Sequence, residues 1–70
     1  MNIIEIDREP VELFKVLKFE GLASSGGEAK QWIGDGRVTV NNQVETRKRR
    51  KLVHGDVIEL AGERYLLQRV

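Results

Sequence analysis

The sequence has no cysteine, one proline and only four aromatic residues among 70. Without cysteine, disulfides, thiolate chemistry and cysteine-ligated zinc sites are excluded. A chain without disulfides fits the reducing cytosol, so we predict a cytoplasmic location. Long apolar runs are also missing: the longest near the N-terminus is Ile3-Ile4, far short of a signal-peptide core or a membrane span. We therefore expect no membrane attachment.

The chain is short, which limits the kinds of site it can build. Seventy residues make one domain, which we assign to residues 1–70. A chain of this size buries only about 60% of the surface that its unfolded form exposes. It cannot easily enclose a cavity of several hundred cubic ångströms, the size that a small-molecule ligand usually needs. Length therefore favours a module that binds through its surface, without a small-molecule substrate.

Residues that carry catalysis or hold cofactors are few and scattered. His54 is the only histidine, and it has no second histidine or cysteine to share a metal and no nucleophile spaced to use it as a base. We interpret it as a turn residue, with Asp56 capping the same turn. The carboxylates form no pair suited to acid–base work, and no glycine-rich nucleotide motif is present. We predict no enzymatic activity, catalytic residue, metal or cofactor.

Charge is distributed unevenly, although the net charge is only +1. Residues 1–28 carry six acids and three bases, whereas residues 29–70 carry nine bases and five acids. This asymmetry predicts one surface for a polyanion and another that faces water.

Apolar spacing predicts a first helix over residues 11–19. Leu13, Phe14 and Leu17 share one helical face. Pro10 suits the first turn, because its missing N–H would be unpaired there in any case. The apolar stripe is broad, so this helix should pack on more than one side.

A capping box predicts the start of a second helix. Ser25 would accept from the N–H of Glu28, and the Glu28 carboxylate would return to the N–H of Ser25. Ala29, Trp32 and Ile33 follow at helical spacing and are expected to face inward.

The apolar period then changes to two, which predicts strands. Asn41-Asn42 separates two alternating segments and favours a tight hairpin, because asparagine tolerates positive φ. We predict an α+β fold with two N-terminal helices packed on a small, mostly antiparallel sheet. Its strands are expected near residues 38–40, 43–45, 57–60 and 64–70, with short ones at residues 2–6 and 52–53.

The aromatic residues do not indicate a surface for stacking bases. Trp32 could stack on a base, but its helical spacing favours core packing, and Phe14, Phe19 and Tyr65 are interpreted the same way. The sequence lacks the paired exposed aromatics of a sheet that reads RNA bases. Recognition of shape and phosphate is therefore favoured over recognition of bases.

Residues 11–60 resemble a known family. The resemblance is carried by VELFKVLKFEGLA, SSGGEAKQWI, GDGRVTVNNQVETRKRR and LVHGDVIEL, and most specifically by Gly36-x-Val38-x-Val40-Asn41 followed by Gly55-Asp56-x-Ile58. These segments are similar to the RNA-binding domain named after ribosomal small-subunit protein four, the S4 or alpha-L domain. Small stand-alone bacterial members of the YbcJ type share the SG helix start and the ETRKR segment.

The resemblance implies a function. The family binds structured RNA with its two helices and the following hairpin, usually as an appendage of ribosomal proteins, pseudouridine synthases or a tRNA synthetase, where it does no chemistry. A stand-alone copy would be a pure binder, and we expect a monomer whose partner is structured RNA, ribosomal or transfer RNA above all. Two usual phosphate contacts are missing, because many members begin the two helices with arginine and this chain has Val11 and Gly26 there.

We expect a basic run to replace these missing contacts. Five successive cations cannot all be buried without partners. In an extended segment, side chains would alternate between two sides, so at least one side would present cations to water. Phosphates suit such a surface, since arginine offers bidentate contacts. The predicted main contacts to RNA are Arg47, Lys48, Arg49, Arg50 and Lys51.

Other readings of the basic run remain open. It could be a solvated face that blocks edge-to-edge strand pairing, a patch for anionic lipid or a nuclear-import signal. The main alternative function is a protein-interaction adaptor whose basic run docks on an acidic partner. Arg49→Glu/Arg50→Glu discriminates, because it should abolish RNA retention only in an RNA-binding protein.

Four more residues are predicted to complete the RNA surface. Ser25 and Gly26 open a helix whose free N–H groups favour an anion, although simple capping explains them equally well. A single lysine or arginine such as Lys30 or Arg37 is more often a solvated surface charge than a binding residue. The family resemblance favours both as contacts to RNA. Lys15 and Lys18 are weaker candidates, because nearby Glu12 and Glu20 offset them.

Overall fold

The computed structural model describes residues 1–70, and the protein is α+β as predicted. The helices are not at the N-terminus, however, because two strands precede them. The elements are β1 (Asn2–Ile6), β2 (Val11–Glu12), α1 (Leu13–Phe19), α2 (Gly26–Gly34), β3 (Val38–Val40), β4 (Gln43–Val44), β5 (Lys51–Leu52), β6 (Val57–Leu60) and β7 (Glu63–Arg69).

Five of the strands form one mixed sheet in the order β1-β7-β6-β3-β4. The pairs from β7 to β4 are antiparallel, as expected. β1 pairs in parallel with β7, placing Ile4 opposite Leu67, both of which are buried. β2 and β5 form a separate two-stranded ribbon. The prediction of a mostly antiparallel sheet is thus confirmed, with one parallel pair at its edge.

Two tight turns set the register of the antiparallel strands. Asn41 and Asn42 join β3 to β4 with φ of 52° and 69°, so the predicted hairpin is confirmed. Ala61 and Gly62 join β6 to β7 with φ of 53° and 80°. Positive φ at both central positions matches the twist of the flanking strands.

The first helix starts two residues later than predicted. Val11 and Glu12 are extended because they pair with β5, and α1 begins at Leu13. Pro10 therefore lies before the ribbon and not in the first turn of the helix. The interstrand contact overrides the local preference of proline for a helix start.

The cap of α2 is confirmed in one half and altered in the other. The Ser25 hydroxyl accepts from the N–H of Glu28 at 3.1 Å. The Glu28 carboxylate returns one residue earlier than expected, and accepts from the N–H of Ser24 at 2.8 Å. The helix end is nevertheless satisfied by its own side chains.

The core lies between the helices and the sheet. Leu13, Leu17, Ala29 and Ile33 are fully buried, while Trp32 is half-buried. The prediction that Phe19 belongs to the core is wrong, since 73% of it is exposed. It ends α1 on a side that neither α2 nor the sheet covers. Neither helix has the length and apolar character needed to cross a membrane.

Candidate nucleic-acid interface

Four of the five cations, Arg47 to Arg50, form a turn and not an extended segment, and Lys51 begins β5. We call residues 47–51 the basic turn. The N–H of Arg50 donates to the carbonyl of Arg47 at 3.2 Å, which closes the chain around Lys48 and Arg49. The expected strict alternation of side chains is therefore wrong. A turn projects its side chains outward from one point, which concentrates their charge.

The basic turn is held against the start of α1 by its backbone. The N–H of Leu13 donates to the carbonyl of Arg50 at 2.9 Å, and the N–H of Phe14 donates to the carbonyl of Lys48 at 3.1 Å. The first amides of a helix have no partner within the helix. The basic turn supplies those partners, so its position relative to α1 is fixed.

Glu45 is the buried anchor of the basic turn, with only 8% of its side chain exposed. It accepts from Arg47 through Nε at 2.9 Å, Nη2 at 3.0 Å and the backbone N–H at 3.0 Å. It also accepts from Nη1 of Arg50 at 2.6 Å. The hydrogen bonds from Arg47, reinforced by Arg50 and opposed by burial, lower the pKa of Glu45 from 4.5 to about 2.

A second carboxylate anchors the tip of the basic turn. Glu12 accepts from Nη1 of Arg49 at 3.2 Å, and Nζ of Lys15 lies 3.2 Å from its other oxygen. The hydrogen bond from Lys15, with a smaller contribution from Arg49, lowers the pKa of Glu12. Three of the five cations thus have a carboxylate partner, whereas Lys48 and Lys51 have none.

A shallow concavity of about 450 Å³ is lined by four of the five cations and by no other residue: Arg47, Arg49, Arg50 and Lys51. The side chains of Arg47 and Arg49 remain 72% and 66% exposed despite their ion pairs. Their guanidinium groups have N–H donors left over, since each carries five. The concavity can therefore accept an anion such as phosphate on several donors at once.

Phe14 links the basic turn to both helices. Its ring centroid lies 4.6 Å from Nζ of Lys30, 5.2 Å from Cζ of Arg49 and 6.0 Å from Nζ of Lys15. Cations are attracted to the face of an aromatic ring at these distances. A buried aromatic thus gathers cations from α1, α2 and the basic turn into one patch.

The start of α2 borders this patch. A Cβ at Gly26 would lie 3.8 Å from Cδ of Lys18 and 3.9 Å from the Phe14 ring. Gly26 therefore lies beside Lys18 and Phe14, and Ser25 is the residue before it. The carboxylate of Glu28 lies at the same helix end, bonded to Ser24. It partly offsets the positive end of the helix dipole.

Arg37 lies apart from the other predicted residues. It is exposed, and no side-chain contact joins it to the basic turn. The N–H of Glu45 donates to the carbonyl of Val38 at 3.0 Å, so the chain that enters the basic turn runs beside the start of β3. Arg37 is thus near the edge of the patch.

The sequence did not reveal that Glu45 and Glu12 hold the arginines of the basic turn. Glu45 precedes Arg47 by two residues, so both side chains would fall on one side of an extended chain, and this spacing was the available signal. The contact of Glu12 with Arg49 spans 37 residues and left no local signal. Lys15 and Lys18 are the weaker candidates for RNA contacts from the sequence, yet both lie beside Phe14.

The turn around His54 matches its interpretation. Oδ2 of Asp56 accepts from the N–H of Val53 at 2.8 Å, which caps the turn. Nδ1 of His54 accepts from the N–H of Arg69 at 2.9 Å, so this nitrogen has a structural partner. No three His, Cys, Asp or Glu side chains come together as metal ligands.

Comparison with known proteins identifies the family. The S4 domain family matches residues 4–68, a longer span than the segment that carries the resemblance. The protein YbcJ of Escherichia coli (strain K12) is 50% identical over 63 residues, covering 89% of this chain and 90% of YbcJ. RlbA of Bacillus subtilis (strain 168), named a probable ribosome maturation protein, is 41% identical over 61 residues, covering 87% of this chain and 86% of RlbA.

A solved structure gives the same picture. The solution structure of E. coli YbcJ, described as revealing an alpha-L motif involved in RNA-binding, superposes with a TM-score of 0.73. The aligned residues are 40% identical and cover 97% of this chain and 87% of that one. On the family match, the sequence identities and the shared architecture, this chain belongs to the S4 domain family.

Proposed function

We propose that this protein is a non-enzymatic module that holds structured RNA through its phosphate backbone, in the context of the ribosome or of RNA processing. The observation that carries the proposal is the concavity lined only by Arg47, Arg49, Arg50 and Lys51. The description of YbcJ as containing an RNA-binding motif and the name of RlbA support it. We propose further that it acts as a cytoplasmic monomer.

The cations have two different roles in this proposal. Arg47 and Arg50 are oriented by Glu45, so they contribute donors whose geometry is set before RNA arrives. Pre-set donors lose less conformational entropy on binding. Lys48 and Lys51 have no carboxylate partner and contribute full, mobile charges. The arginines would set the position of a phosphate, and the lysines would supply long-range attraction.

The other predicted residues would extend the RNA-binding surface beyond the basic turn. Lys30 lies on Phe14 beside the basic turn, Ser25 and Gly26 open α2 next to it, and Arg37 flanks its entry. The only large exposed aromatic is Phe19, so stacked bases have no paired platform. Such a surface favours the phosphate pattern of folded RNA over a base sequence.

The test compares RNA retention by the wild type and by Lys48→Glu/Lys51→Glu in a gel-shift assay with a labelled ribosomal RNA hairpin. We expect the variant to lose retention at moderate salt. Arg8→Glu is the control for charge reversal, because Arg8 is exposed and its ion pair is with Asp7. Equal retention by all three proteins contradicts the proposal. Recovery of an acidic protein without RNA would favour an adaptor.

A charge reversal at Arg49 and Arg50 would be harder to interpret. Arg49→Glu/Arg50→Glu removes the same amount of charge but also breaks the pairs with Glu12 and Glu45. A loss of RNA binding would then mix unfolding with lost contacts. No ion pair depends on the two lysines, but Lys51 faces Glu12 across the β2–β5 ribbon, so Lys48→Ala/Lys51→Ala is compared with the reversal to separate repulsion from lost contacts.

A further inference from the structure

A partly open groove of about 820 Å³ lies between β1 and α1. Its volume exceeds what the chain length predicts, because the groove is formed at the sheet edge and is not enclosed. On α1 it is lined by Lys15, Val16 and Phe19, whereas Phe14 lies toward α2. The groove and the basic patch therefore meet along α1: Glu12 and Lys15 border both, whereas the edge of β1 belongs to the groove alone.

The groove meets β1 along its open edge. β1 has only β7 as a neighbour in the sheet. Ile4, Glu5 and Ile6 line the groove in succession, although alternate side chains of a strand point to opposite faces. The carbonyl of Ile6 accepts from Val70 on the β7 side. By alternation, the N–H and C=O groups of Ile3 and Glu5 point away from β7 and are open to a further strand.

The groove is apolar in its floor and acidic at its rim. Phe19 and Val70 line it and are mostly exposed to solvent. Glu5 and Glu20 also line it, and neither has an ion-pair partner. Asp7 and Glu12, the other two acids, are paired with Arg8 and Lys15, which also line the groove. An occupant would therefore meet apolar surface flanked by two free carboxylates.

We propose that this groove binds an extended protein segment of alternating apolar and basic residues, which adds to β1 as a new strand. Open backbone groups on an edge strand recruit a chain by main-chain hydrogen bonds, and the flanking side chains select it. Complementary charge on the rim favours a cationic segment. The proposal does not depend on RNA binding, since the edge of β1 and the carboxylates of Glu5 and Glu20 are not part of the basic patch.

The same charges argue against other occupants. A second copy would place a second acidic rim, with its own Glu5 and Glu20, beside the first, and like charges on edge strands keep identical copies apart. RNA would bring phosphates against Glu5 and Glu20. A cationic polypeptide is the one occupant for which the backbone, the apolar floor and the rim charges are all complementary.

The first experiment uses nuclear magnetic resonance on the isotope-labelled full chain. The probe is a capped peptide of four Lys-Val repeats, and its matched control is four Glu-Val repeats. We expect the lysine peptide to shift the amide signals of Ile3, Glu5 and Val70, while the glutamate peptide leaves them unchanged. Absence of shifts with the lysine peptide, or equal shifts with both peptides, overturns the proposal.

Variants separate the two parts of the recognition. Ile3→Pro removes an outward N–H on an edge strand, a place where proline is tolerated, and should abolish peptide binding while leaving RNA binding intact. Glu5→Lys/Glu20→Lys should lower the affinity for the lysine peptide about tenfold, because two exposed ion pairs are lost and the new lysines repel the peptide. The same variant should bind the glutamate peptide.

Asp35→Lys is the control for the added charge, because Asp35 is exposed and lies at the end of α2 outside the groove. It should leave peptide affinity unchanged. If Ile3→Pro fails to fold, Glu5→Lys/Glu20→Lys decides the question alone. Unchanged preference between the two peptides in that variant contradicts the proposal.

Discussion

Arg50 and Glu45 are joined by a hydrogen bond of 2.6 Å between Nη1 and Oε1, and both side chains are largely shielded from water. Because the same carboxylate holds Arg47, the shape of the basic turn is set by a residue outside it. Arg47 and Arg50 thus have a structural role in addition to their proposed role in binding phosphate. This division decides how each substitution in the basic turn should behave.

Replacing Glu45 should destabilise the protein. In Glu45→Gln, the amide offers donors where two arginines also donate, so the bonds to Arg47 and Arg50 are weakened or lost. Hydrogen bonds to charged groups contribute about 1.5–3 kcal/mol of net stability. Because both arginine side chains remain partly exposed to water, we expect the free energy of unfolding to fall by about 2 kcal/mol. Urea unfolding at neutral pH measures it. Glu20→Gln is the control, and an equal effect of both changes would contradict the anchoring role.

The stability that Glu45 contributes should disappear in acid. Its folded-state pKa of about 2 lies below its ordinary value of 4.5. A depressed pKa means that the stabilisation is fully present above about pH 4.5 and is lost as the pH falls toward 2. We expect the difference in unfolding free energy between the wild type and Glu45→Gln to shrink from pH 5 to pH 2.5. A constant difference over that range would show that the carboxylate charge is not the source.

RNA affinity should fall steeply with salt. If about five phosphates are neutralised, log K against log salt has a slope of roughly −3.5 to −4.5. Lys48→Ala/Lys51→Ala should make the slope shallower by about 1.4 to 1.8, because two fully charged contacts are lost. Gel-shift titrations at several salt concentrations give both slopes. A wild-type slope near zero would rule out the phosphate grip.

Restoring the arginine that many family members carry at position 26 should strengthen RNA binding. The φ of Gly26 is not left-handed, and a Cβ there meets Lys18 and Phe14 at ordinary contact distances. Gly26→Arg should raise RNA affinity about three- to tenfold by adding one charged contact. Gly26→Ala is the matched control, since it gives a similar gain in helix stability of up to about 1 kcal/mol without charge. Equal affinities of the two variants would place the start of α2 outside the RNA surface.

Local patterns predicted much of this protein. The hairpin at Asn41-Asn42, the hydroxyl half of the Ser25 cap and the inward face of α2 depend on neighbours within four residues, so they could be inferred from spacing. The family was also identified from the sequence, because its glycines and valines mark turns and strands at fixed separations. Whether the predicted residues bind RNA stays a prediction.

Tertiary contacts decided the rest. Pro10 and Val11 lie outside α1 because β5, some forty residues later, pairs with β2. Phe19 is exposed because no element covers its side of α1. The run of five cations was visible in the sequence, but its closure into a turn depends on Glu45 and on the backbone of α1. Composition and spacing determined which charges exist, whereas long-range pairing, whose energy depends on residues distant in sequence, decided which of them are held and which are free.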